Sequence, residues 1–103
     1  MKTITSILDF NETIQEDLVV ILAKTHTCNV CGPISIKLDQ TMKQYPNIPY
    51  YHIYIEEVEE FSGQHLVFTV PTILVFSNEK ELLRESRFIN FDKIERLLEL
   101  YQS

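Results

Sequence analysis

Six apolar residues in a row, Leu18-Val19-Val20-Ile21-Leu22-Ala23, restrict this chain more than any other stretch. A strand turns its side chains alternately to two sides, so an unbroken apolar run must be covered on both. Helices laid on each face of a sheet do that, which predicts an α/β fold in layers. With 103 residues, 45% of them hydrophobic and 11% aromatic, the chain has enough apolar material for one such core without metals or staples. We therefore expect a single domain over residues 1–103, without linker, repeat or low-complexity segment.

The flanking stretches fit this layout. Met1–Ser6 is short and β-branched, as an edge strand would be, and Ile7–Glu16 reads as a helix with Ile7, Leu8, Phe10 and Ile14 on its apolar side. Ile34–Tyr45 repeats Ile34, Leu38, Met42 and Tyr45 at helical spacing, with Pro33 near its start and Pro46 and Pro49 past its end. Tyr50–Ile55 predicts a second central strand, and Glu57–Gln64 a short acidic helix that Gly63 would end. Pro71 leads into the apolar strand Thr72–Phe76, the turn Ser77–Lys80 and a returning strand, Glu81–Phe88. Phe91–Tyr101 closes the chain as a helix, with Asn90 as its cap and Phe91, Ile94, Leu98 and Tyr101 in one stripe. The order β-α-β-α-β-α-β-β-α predicts a mixed sheet of four or five strands with helices on both faces.

Several function classes fall away. The net charge is −6 and the nine basic residues are scattered, which argues against a nucleic-acid partner. The acidic cluster Glu56, Glu57, Glu59 and Glu60 reads as a solvated face. No apolar run reaches the length of a membrane span, and no secretory signal opens the chain. A reducing, cytoplasmic setting is the expectation, with the chain acting as a monomer. Gly32 and Gly63 are the only glycines, so no phosphate-cradling loop exists. Ser35 and Ser62 lack the context of a hydrolytic nucleophile, and Tyr45, Tyr50, Tyr51 and Tyr54 sit where core packing outweighs base stacking.

What remains is Cys28-Asn29-Val30-Cys31, the only two cysteines, between the apolar strand and the Ile34–Tyr45 helix. In a reducing compartment such a pair is catalytic more often than structural. With Cys28 at the helix start and Cys31 in the first turn, the two share one face, within the Cα separation a disulfide needs. Unpaired amides and the helix dipole would favour a thiolate, the species that attacks disulfides. Cys28 would attack first, and Cys31, more buried, would resolve the mixed disulfide. His26, two residues earlier, is either a charge for that thiolate or an exposed loop histidine. A zinc site would need His26, His52 and His65 to converge on the pair, which their separate elements disfavour, so no metal or organic cofactor is implied.

This corner, the order of elements and Val70-Pro71-Thr72 ahead of the third apolar strand resemble the thioredoxin-like proteins, over the whole chain. The resemblance implies a thioredoxin-like three-layer sandwich, a cis bond before Pro71, and a loop facing the cysteines in which Val70 and Pro71, with Thr27, position a disulfide-bearing protein or small thiol. Electrons would come from a reductase or a low-molecular-weight thiol. Departures are equally plain. Asn29-Val30 replaces the family's common Gly-Pro, Thr27 its tryptophan, and Leu22 the buried acid six positions before the first cysteine. His52 stands where a lysine often accompanies that acid, and the glycines of the final hairpin are missing. A second register, with Cys31-Gly32-Pro33-Ile34 imitating Cys-Gly-Pro-Cys, leaves Cys28 poorly spaced from the strand. The acid's absence also raises an alternative: a binding module of the same fold, with a slow redox switch and little turnover.

Overall fold

The computed structural model describes residues 1–102. Its elements are β1 (Lys2–Ile4), α1 (Ile7–Thr13), β2 (Val19–Lys24), α2 (Cys31–Met42), β3 (Tyr50–Tyr54), α3 (Glu59–His65), β4 (Thr72–Ser77), β5 (Lys80–Ser86) and α4 (Phe91–Gln102). The five strands form one sheet in the order β1-β3-β2-β4-β5. β3 runs parallel to β1 and β2, whereas β4 is antiparallel to both β2 and β5. The apolar run is thus the middle strand, and its alternation divides the core. Val19, Ile21 and Ala23 pack with Phe10 and Ile14 at α1 and Phe61 of α3. Val20 and Leu22 pack on the other side with Leu38 and Met42 of α2 and Ile94 and Leu98 of α4. β4 divides in the same way, Leu74 and Phe76 against Ile73 and Val75. Each fully buried Leu, Ile or Val contributes about 1.5–3 kcal/mol relative to exposure. Among the described residues, no helix is long and apolar enough to cross a membrane.

The element ends depart from the sequence-based reading for local reasons. α1 stops at Thr13, and Leu8 is 73% exposed, because Phe10, Thr13 and Ile14 set the inward face and Leu8 lies across the helix from it. α2 begins at Cys31 and takes Pro33 into its first turn, where the missing N–H is no loss, and it ends at Met42. Gly63 lies inside α3, and Leu66 ends that helix in the left-handed region at φ 54°. This is a strained conformation for leucine. Arg84 holds it there by donating to the His65 and Leu66 carbonyls at 2.6 and 2.9 Å. Tyr101 is exposed, outside the buried stripe of Phe91, Ile94 and Leu98. The hairpin uses Asn78 and Glu79 at φ 49° and 72° in place of glycines, giving the twist a two-residue turn requires.

Candidate redox site

β2 ends at Lys24, and the chain turns through Thr25–Val30 before α2 starts. Two backbone bonds shape that loop: the Cys28 N–H to Thr25 O at 3.4 Å and the Cys31 N–H to Cys28 O at 3.3 Å. Cys28 and Cys31 are joined as a disulfide, with their Cα atoms 5.4 Å apart. The three-residue spacing therefore does bring the sulfurs together. Cys28 lies in the loop before the helix, however, and Cys31 opens the helix. The reason lies in the first turn. The Cys31 amide is taken by Cys28, the Ile34 amide by Val30 O at 3.2 Å, and Pro33 has no amide. Among the described residues this leaves the Gly32 N–H as the first-turn donor without a backbone acceptor, at the positive end of the helix. Cys31 is only 3% exposed, whereas Cys28 is half-buried, so Cys28 is the more exposed of the two. The space around Gly32 is open.

A cleft of about 230 Å³ beside the pair is lined by Lys24, Thr25, His26, Cys28, Cys31, Gly32 and Tyr54. The His26 imidazole stacks on Tyr54 at 3.8 Å, and its Nε2 lies 2.6 Å from Glu57 Oε2. Its backbone N–H donates to Glu56 at 3.0 Å. His26 therefore ties the cysteine loop to the segment after β3, and its ring is engaged by a carboxylate rather than by sulfur. His52 bonds to Thr3, and His65 packs among Phe10, Phe61 and Phe76. Thr27 is exposed on the cysteine loop. The Val70–Pro71 peptide bond is cis. The antiparallel register pairs Ala23 with Thr72, which sets Val70 and Pro71 at the same end of the sheet as Lys24 and Thr25. The Arg87 N–H, at φ 65°, binds the Pro71 carbonyl at 2.8 Å.

Beneath α2 the sheet face changes character. Leu22 is fully buried, in register with His52 on one side and Ile73 on the other. On the β3 side the face turns polar. Tyr50 OH donates to Asp39 at 2.9 Å, and Lys24 Nζ donates to Ser35 Oγ at 3.2 Å, 5.2 Å from the Tyr54 ring centre. Burial pushes the Lys24 pKa down, and the Asp39 carboxylate opposes this. Burial, then Lys24 and the N-terminus, lower that of His52, whose buried Nδ1 has no hydrogen-bond partner among the described residues. Burial and Asp39 raise the Tyr50 phenol. Sequence reasoning did not single out Lys24 or Asp39. The signal was present: a lysine ending an apolar run, and Cys31, Ser35 and Asp39 spaced by fours.

A sequence profile described as Thioredoxin matches residues 2–99. Thioredoxin-like protein YdfQ of Bacillus subtilis is 41% identical over 71 residues, which are 69% of this chain and 63% of that protein, so less than two thirds of that relative is spanned. Thioredoxin-1 of Saccharomyces cerevisiae is 27% identical over 77 residues, 74% of this chain and 75% of that one. A thioredoxin structure from Plasmodium falciparum superposes with a TM-score of 0.86 at 22% identity, covering 98% of this chain and 99% of that one. One from Fasciola hepatica gives 0.85 at 21%, covering 97% and 98%. These two likenesses establish the fold.

Proposed function

The chain belongs to the thioredoxin family, and on that premise we propose that it is a thiol–disulfide oxidoreductase working through Cys28 and Cys31. The observation that carries this reading is the joined pair itself, one sulfur accessible and the other buried at a helix start. The Cys28 thiolate attacks a disulfide sulfur of the partner and releases the first partner thiolate. Cys31 then attacks Cys28, closing the intramolecular disulfide and releasing the second. Two electrons pass to the partner, and a reductase or low-molecular-weight thiol must return them.

Thr27, Val70 and Pro71 position the partner. Among the described residues the Val70 backbone carries no hydrogen bond, which leaves its N–H and C=O to pair with an extended peptide as an added strand. The setting we propose is the reducing cytoplasm, with the chain acting as a monomer on a disulfide-bearing protein or small thiol.

Insulin reduction, driven by dithiothreitol, tests the reading against a Cys28→Ser control. Turnover that vanishes with the serine is the expected result. Partner binding that survives the serine, without turnover in the unaltered chain, would replace the enzyme by a binding module; the apolar Leu22 in place of the family's acid is the feature that favours that second reading.

A further inference from the structure

A thiolate gains from positive charge nearby, and the histidine on the cysteine loop is spoken for: His26 faces Glu57. The corner does hold Lys24. It ends β2 on the same face as Val20 and Leu22, in register with Tyr54. It lines the cleft together with both cysteines. Its ammonium is held by Ser35 Oγ at 3.2 Å. Ser35 lies one helical turn beyond Cys31, and Asp39 one turn beyond Ser35, so the three share the side of α2 that meets Lys24 and Tyr50.

Resting on the exchange reaction proposed above, we infer that Lys24 is a positioning residue for it: its ammonium, oriented by Ser35, favours the thiolates of the reduced pair and so makes the pair a weaker reductant. The charge acts on one side of the redox couple only. In the dithiol form the ammonium shares its cleft with sulfur that can carry negative charge. Once two electrons have left for the partner's disulfide and Cys28 and Cys31 have joined, the sulfurs are neutral and the attraction is gone. The departing partner thiolates take protons from water, and Lys24 keeps its own. The titratable groups sharing its surroundings are Asp39 of α2, Tyr50, His52 and Tyr54 of β3, and His26 of the loop. Asp39 favours the ammonium, whereas burial disfavours it.

The test uses the full chain as Lys24→Met and Lys24→Arg. Two readouts apply: the pH midpoint of ultraviolet thiolate absorbance in the reduced protein, and the equilibrium constant with glutathione. Lys24→Met should move the midpoint to higher pH. It should also favour the disulfide form by at least roughly threefold, which is about 14 mV more reducing at ~30 mV per tenfold. Lys24→Arg should restore both. A purely structural lysine would change the melting temperature and leave both readouts in place. Unchanged readouts in Lys24→Met, or arginine behaving as methionine, overturn the inference. If the methionine variant does not fold, Lys24→Gln is read by the same criteria. Failure of the unaltered chain to equilibrate with glutathione would sink the exchange reading itself; normal exchange beside a silent Lys24→Met would sink only the role of the lysine.

Discussion

Leu22→Asp restores an ionisable group six residues before Cys28, and the structure sets its cost. Leu22 is fully buried against α2. Deleting a buried leucine side chain costs about 2–5 kcal/mol through lost transfer energy and the cavity left behind. An unpaired amide there adds about 1–3 kcal/mol. Leu22→Asn, which has the shape of aspartate without the charge, should therefore lose about 3–8 kcal/mol. The total for a domain is about 5–15 kcal/mol, so the loss takes a large share of the stability. The difference between the Asp and Asn variants isolates the charge. Burial raises a carboxyl pKa, and Lys24 nearby on the same face opposes the rise. The sign follows. A group whose folded pKa is raised is harmless while protonated, and it destabilises as pH climbs through the folded value. Asp should therefore be worse than Asn at about pH 8, by about 1.4 kcal/mol for each unit of the rise, and less so at about pH 5. Urea midpoints of both variants at the two pH values measure this. An Asn loss under about 1 kcal/mol contradicts the core placement, and an Asp–Asn gap independent of pH contradicts the dry environment. The same pair tests resolution. If the missing acid limits it, Leu22→Asp should release a mixed disulfide faster than Leu22→Asn; equal rates would remove that explanation.

Two further outcomes follow from groups away from the cysteines. Burial is the first cause that holds His52 and His65 below the usual imidazole pKa, with Lys24 and the N-terminus adding at His52 and Arg84 at His65, against Glu81. The unfolded chain takes up protons near about pH 6.5 where the folded chain does not, so stability falls as pH drops through about 6.5 and is unaffected above it. His65→Phe should flatten part of that fall in urea midpoints, and an unchanged profile would contradict it. Ser6 caps α1 by accepting the Asp9 N–H at 3.1 Å, so Ser6→Ala should cost about 1 kcal/mol in thermal or urea unfolding. A loss within error would show that this cap carries no weight.

The parts of the fold legible in the sequence are those that a single dominant force decides. Leu18–Ala23 had to be a strand covered on both sides, and the cysteine spacing had to bring two sulfurs together. The helix ends were less legible because several residues compete for each. Gly63 reads as a terminator, yet Arg84, eighteen residues past Leu66, supplies the bonds that let a leucine stop α3 instead. The cysteine spacing reads as a helix that starts at Cys28 with Pro33 tolerated near its beginning, yet α2 starts only at Cys31 and leaves Cys28 in the loop. The polar seam was hidden for another reason. Lys24, Ser35 and Asp39 look like ordinary polar residues and Tyr50 like core packing, and only the packing of α2 over the ends of β2 and β3 makes them neighbours.

β2 and β4 each give alternate residues to both sides of the sheet. Neither half of the hydrophobic interior can therefore melt while the other stays dry, since losing one set of helices strips the strands that floor the second. The molecule should open all at once, with the slowest amide exchange along these two strands. The cysteine loop hangs from the end of β2, so its reactive atoms are mounted on the last part of the chain to let go.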